Sequence, residues 1–97
     1  MKFLQIIELT TSNVEEMDKL EAEWQRATEG KRTLLKEYKT RDRDRPNTYL
    51  LLAEFPSYEE AMKNNDLPAT QEIAAKMAAL AEGEMVFRNL DVLDERS

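Results

Sequence analysis

Thr48-Tyr49-Leu50-Leu51-Leu52-Ala53-Glu54-Phe55-Pro56-Ser57-Tyr58-Glu59-Glu60-Ala61 joins the most apolar strand-like run of the chain to its best-signalled helix start. Tyr49 to Phe55 is almost continuously apolar, as a strand interior to a sheet is, and Pro56 closes it. Ser57 then opens a capping box with Glu60: the serine oxygen accepts from a free amide of the first turn and the carboxylate reaches back. One carboxylate, Glu54, stands at the junction. Successive strand residues point to opposite faces, and Phe55, entering the helix, is placed to pin it. Leu51, Ala53 and Phe55 are therefore assigned to the helix side, and Leu50, Leu52 and Glu54 to the other.

Upstream, Phe3 to Thr10 is rich in large and β-branched apolar residues and ends at the turn-forming Thr10-Thr11-Ser12-Asn13, which predicts a first, central strand. Ser12 with Glu15, or Asn13 with Glu16, caps the helix that follows. Its apolar stripe is Val14, Met17, Leu20, Trp24 and Ala27, with Gly30 as the stop. Thr33 to Asp42 alternates poorly and carries charge, as an edge strand does. Arg41-Asp42-Arg43-Asp44-Arg45 is read as a solvated hairpin tip leading to Pro46-Asn47; a clamp for an anionic ligand is the competing reading.

Downstream, the helix from Ser57 is expected to break over Lys63-Asn64-Asn65-Asp66, with Pro68 starting another that places Ile73, Met77 and Leu80 on one stripe and stops at Gly83. Met85 to Leu93 is the fourth strand, and Asp94 to Ser97 a frayed tail. The order β-α-β-β-α-β predicts one α+β domain over residues 1–93. It is the ferredoxin-like arrangement of an antiparallel four-stranded sheet with its helices on one face.

Composition narrows the chemistry. The 97 residues contain no cysteine and no histidine, which removes disulfides, thiolate and imidazole metal ligands, the usual haem ligand and the usual general base. No metal and no cofactor is expected, and a reducing cytoplasm suits the chain. A net charge of −6 argues against nucleic acid as a partner, and no apolar stretch approaches the ~20 residues of a membrane span. Two glycines in all exclude a phosphate-cradling loop. A domain of this length buries only somewhat more than ~60% of its unfolded surface, so a partner chain would help it.

The sheet face away from the helices points to that partner. By parity it carries Leu50, Leu52, Val86, Leu90 and Val92, while Phe87 turns to the helices, and an apolar face of that size is not left in water. A second copy packed sheet to sheet about a two-fold axis covers it. Glu54 and Arg88 share this face and need partners there: each other, Glu37, or a ligand.

Tyr49 to Met62, with Asn65-Asp66-Leu67-Pro68 and the alanine-rich helix behind it, resembles the dimeric α/β barrel superfamily. The nearest likeness is to its antibiotic biosynthesis monooxygenase type, in which a strand ending in an acidic and an aromatic residue runs into a helix opening Ser-x-Glu-Glu-Ala. The resemblance covers roughly Lys2 to Leu93 and implies a homodimer whose two sheets form a barrel, with a pocket in each protomer between sheet and helices. It also implies activities that include cofactor-independent oxygenation of phenolic polyketides, haem degradation and isomerisation. The haem-degrading pattern needs a histidine, which this chain lacks, and a tryptophan on the second helix, whereas Trp24 is on the first.

Two functions follow. One is a dimeric protein of unassigned activity that binds a small hydrophobic or aromatic molecule in a sheet/helix cavity. The other is a cofactor-independent monooxygenase or isomerase acting on an aromatic or polyketide-like substrate, with Glu54 as base and Arg88 stabilising an oxyanion. Tyr38, Tyr49, Trp24 and Asn65 are the candidate ligand-binding residues; Trp24 is a core or pocket-wall residue by its place on the helix stripe.

Overall fold

Phe3–Thr10 forms β1, Val14–Ala27 α1, Lys36–Arg41 β2, Thr48–Phe55 β3, Tyr58–Asp66 α2, Pro68–Leu80 α3 and Val86–Asp91 β4 in the computed structural model, which describes residues Met1 to Ser97. The strands form one antiparallel sheet in the order β2-β3-β1-β4, with the two most apolar strands inside and the two more charged ones at the edges. All three helices lie on one face. This is the expected ferredoxin-like arrangement, its second helix divided at Leu67–Pro68.

The register aligns the helix-side residues of the inner strands as Phe3 opposite Phe55, Gln5 opposite Ala53, Ile7 opposite Leu51 and Leu9 opposite Tyr49. Two buried clusters result. Leu9 and Leu51 pack with Met17 and Leu20 of α1 and Ile73 and Met77 of α3. Phe3, Ala53 and Phe55 pack with Ala61 of α2. Phe55 is 2% exposed, and Phe3 stacks against it at a centroid distance of 6.5 Å while meeting Tyr58 edge-on at 5.4 Å. This aromatic wedge fixes the entry of α2, as the parity of β3 requires; burying a side chain of this kind stabilises by about 1.5–3 kcal/mol.

Local differences from expectation have identifiable causes. Asn13, not Ser12, caps α1, its Oδ1 accepting from Glu16 N at 3.3 Å. The helix stops at Ala27, ahead of Gly30: the Thr28 amide makes the last helical bond to Trp24 O (3.0 Å), and its hydroxyl donates to the same carbonyl (2.7 Å); Gly30, at φ +77°, serves the turn that follows. β2 begins only at Lys36, since Thr33 is held by α2: its hydroxyl donates to Glu60 O at 2.6 Å and its amide to Asn64 Oδ1 at 3.4 Å. For the same reason α2 runs through Lys63–Asp66 without breaking there; Asn64 faces inward, 4% exposed. β4 is confined to Val86–Asp91, and Met85 packs on the core instead.

The hairpin tip between β2 and β3 is tied down by its own charges. The Arg45 guanidinium grips Glu8 with two hydrogen bonds, 3.0 and 3.1 Å, and Asp42 with a third at 2.8 Å. Asp44 N also donates to Asp42; that bond and Arg45 hold the Asp42 carboxyl below its ordinary range. Asn47, at φ 57°, closes the turn in the left-handed conformation that asparagine tolerates.

Candidate functional site

The register of four strands places Asn89 of β4, Gln5 of β1, Ala53 of β3 and Glu37 of β2 side by side on the helix face. Three polar side chains thus cross the sheet at one level, with the single methyl of Ala53 between them. The next row, Phe87, Ile7, Leu51 and Lys39, is largely apolar. Above Ala53 the helices do not close down. A cavity of about 330 Å³ remains, walled by Ile73, Ala74 and Met77 of α3, Trp24 of α1, and Leu34, Phe55 and Met85. Small-molecule sites have this character: concave, mostly apolar, with a few convergent polar groups.

Each helix contributes to the rim for a local reason. Trp24 is one turn beyond Leu20 on the α1 stripe, so its ring reaches the cavity wall, and its Nε1 donates to Thr70 Oγ1 at 2.9 Å, joining α1 to the first turn of α3. Asn64 and Asn65 end α2 over the cavity. Arg32 stands over the Trp24 ring at 5.7 Å and donates to Gln25 O at 2.8 Å, so that cation is engaged. Glu21, from the same helix, lines the cavity beside Glu37. Lys39 Nζ pairs with Glu21 Oε1 at 2.9 Å, the one partner of that buried oxygen. Lys39 binds Asp18 as well.

The buried amides of the site are half satisfied. Gln5, 8% exposed, donates from Nε2 to Asn89 Oδ1 at 3.2 Å, and no protein donor meets its Oε1. Asn64 accepts from Thr33 N, and its Nδ2 is unpaired. Buried polar groups are ordinarily partnered, so open amide groups beside an apolar cavity are suited to a ligand or to water.

Glu37 keeps part of its surface in solvent, yet the protein strips enough water from its carboxyl to push its pKa above the ordinary 4.5; the like charge of Glu21 adds to this, and Arg32 and Lys39 oppose it. The folded state therefore holds the Glu37 proton more tightly than the unfolded chain. That stabilisation is complete below about pH 4.5 and is lost as pH rises through the raised value. Glu37→Gln is expected to be more stable than the parent at neutral pH by roughly 0.5 kcal/mol, the scale of partly exposed charge interactions. Urea midpoints measured against pH should show the two proteins converging in acid; a variant less stable at neutral pH would contradict this.

The candidate residues fall on both sides of the sheet. Trp24 and Asn65 line the cavity, and Tyr49, on the helix side, packs against the larger core cluster. Tyr38, Glu54 and Arg88 lie on the opposite face. Glu54 and Arg88 do not pair with each other, because β1 runs between their strands: Glu54 is opposite Leu4 and Arg88 opposite Ile6, about 12 Å apart by strand spacing and rise. Nor does Glu37 serve either, being on the helix side. Glu54 instead meets Lys2 at 3.1 Å, and Arg88 approaches Glu8 at 3.6 Å. Lys2 bridges Glu95 and Glu54, and both hold its ammonium pKa above the ordinary value.

The polar row is hidden in the sequence. Gln5 sits in a strand that reads as apolar on both faces, and Asn89 and Glu37 come from edge strands. Their common signal is odd numbering on the helix-side parity of their strands, which becomes meaningful only with the register.

No three acidic side chains are grouped to hold a metal ion, and no helix is long and apolar enough to cross a membrane. No family model and no curated protein matches the sequence. Solved structures do match in fold. Rv0793 of Mycobacterium tuberculosis superposes with a TM-score of 0.82 at 14% identity, over 100% of both chains. SnoaB of Streptomyces nogalater, a cofactor-independent oxygenase solved as a single-substitution variant, gives 0.81 at 14% identity over 97% of this chain and 95% of that one. An antibiotic biosynthesis monooxygenase gives 0.77 at 12% identity over 97% of this chain and 100% of its own. The chain thus has the fold of the antibiotic biosynthesis monooxygenase-like proteins.

Proposed function

We propose that the protein is a homodimeric α/β-barrel protein that binds a small hydrophobic or aromatic molecule in the cavity between its sheet and helices. The observation that carries this is the cavity itself: about 330 Å³, walled by Trp24, Ile73 and Met77, and crossed by the half-satisfied row of Gln5, Asn89 and Glu37. Pairing is supported by the outer sheet face, where Tyr38, Val86 and Leu90 are exposed beside Leu4, Ile6, Leu50 and Leu52. Apolar neighbours of this kind are ordinarily covered.

Trp24 is the only tryptophan, so its emission reports on the cavity wall. Titration with adamantanemethanol, a compact apolar alcohol without absorbance of its own, should shift that emission saturably. Ala53→Leu, which fills the gap in the polar row, should weaken the binding at least about tenfold, equivalent to ~1.4 kcal/mol. No saturable response in the parent, or an unchanged affinity in the variant, would refute the cavity as the site.

A second reading is favoured by the likeness to SnoaB: a cofactor-independent monooxygenase or isomerase of aromatic or polyketide-like substrates. Glu54 and Arg88 could serve it as base and oxyanion partner only for a substrate on the outer face, between paired sheets. Glu54→Gln and Arg88→Ala proteins that turn over a panel of hydroxylated aromatics no differently from the parent would end that assignment.

A further inference from the structure

We infer that the cavity selects a cationic ligand: an apolar molecule ending in a protonated amine, whose N–H groups are received by the carboxylates of Glu37 and Glu21. This rests on the ligand-binding role proposed above and specifies its chemistry.

The charge of the lining decides the class. Among the residues that wall the cavity, Glu21 and Glu37 alone are charged. The two nearby cations are committed elsewhere, Lys39 to Asp18 and Glu21 and Arg32 to the Gln25 carbonyl and the Trp24 face. The open donors, such as Asn64 Nδ2, are neutral amides. An entering carboxylate would meet two like charges in a partly desolvated site and no free cation.

Acceptors are also what the site has left over. Gln5 Oε1 lines the cavity with no donor, and Glu37, unlike Glu21, which Lys39 meets at 2.9 Å, has neither a hydrogen-bond donor nor an ion-pair partner. An ammonium entering between Glu21 and Glu37 would relieve their repulsion and give Glu37 the donor it lacks. The apolar body would then lie over Ala53 and against Trp24. A net charge of −6 adds a long-range attraction for cations, and that effect has to be separated from the local one.

Three adamantane probes of matched shape make the separation: adamantylmethylamine, adamantanemethanol and adamantanecarboxylate, each titrated by Trp24 emission at neutral pH. The amine should bind about tenfold tighter than the alcohol, and the carboxylate at least about tenfold weaker, the range expected of a charge-assisted hydrogen bond. Glu37→Gln should abolish most of the amine's advantage, with Glu21→Gln as a second variant should the first fold poorly. Glu59→Gln, at an exposed helix position away from the cavity, changes the net charge equally and should leave the advantage intact. If the alcohol binds but the amine binds no tighter, or if Glu59→Gln erodes the preference as much as Glu37→Gln, cation selectivity is wrong and the cavity reading stands. If no probe binds, both fall.

Discussion

Replacing Leu52 by glutamate is expected to leave each protomer folded and to convert the proposed homodimer to monomers. Leu52 lies in the middle of the outer sheet face, opposite Ile6 of β1 and Tyr38 of β2, and no helix covers it. In the monomer a glutamate there points to water. In a sheet-to-sheet pair it would bury a carboxylate against its symmetry mate and an apolar surround, with desolvation and like-charge repulsion acting together. A rise in dissociation constant of at least about 100-fold, or ~2.7 kcal/mol, follows. Sedimentation equilibrium with far-UV circular dichroism checks both parts. A parent that is already monomeric, or a variant of unchanged mass, would remove the pairing from the account.

Phe55→Ala is expected to cost about 3–5 kcal/mol of folding stability, the range for truncating a buried aromatic whose site cannot collapse. Phe55 is enclosed by Phe3, Ala53 and Ala61, and it stands where β3 hands over to α2. The Ser57 cap, whose Oγ accepts from Glu60 N at 3.2 Å, holds the helix start but cannot fill the space the ring leaves. Small domains have only about 5–15 kcal/mol in total, so this one change would consume a large share. Urea unfolding gives the value directly. Should the alanine protein not fold, Phe55→Leu is expected to be folded and weaker by roughly 1–2 kcal/mol. A loss below about 1 kcal/mol in Phe55→Ala would mean that the aromatic wedge does not organise the fold.

The same segment shows what the amino-acid order makes legible. Strand parity from Thr48 to Phe55 is readable because one residue, Phe55, must serve the helix start, and the faces of its neighbours follow from the period of two. The βαββαβ order is readable because each helix carries a start signal and an apolar stripe. The partners of Glu54 and Arg88 are not, since they depend on which strands adjoin: β1 separates the two, and Glu54 finds Lys2, just ahead of the first strand. The cavity is less legible still. Gln5 looks like an interruption in an apolar run until β3 and β4 are laid beside it, and Glu37 looks like surface charge until α1 brings Glu21 over it. The choice of Asn13 over Ser12 as cap is a finer case of the same kind, because both offer a side-chain oxygen to the first turn and the backbone at the strand exit selects one.

The most direct test of the central claim, that the sheet/helix cavity is the binding site, is a crystal structure of the protein with adamantanemethanol bound. Ligand density is expected over Ala53, against Trp24 and within hydrogen-bonding reach of the row formed by Gln5, Asn89 and Glu37. Density confined to the opposite face of the sheet, beside Glu54 and Arg88, with the cavity closed by its own side chains, would contradict it.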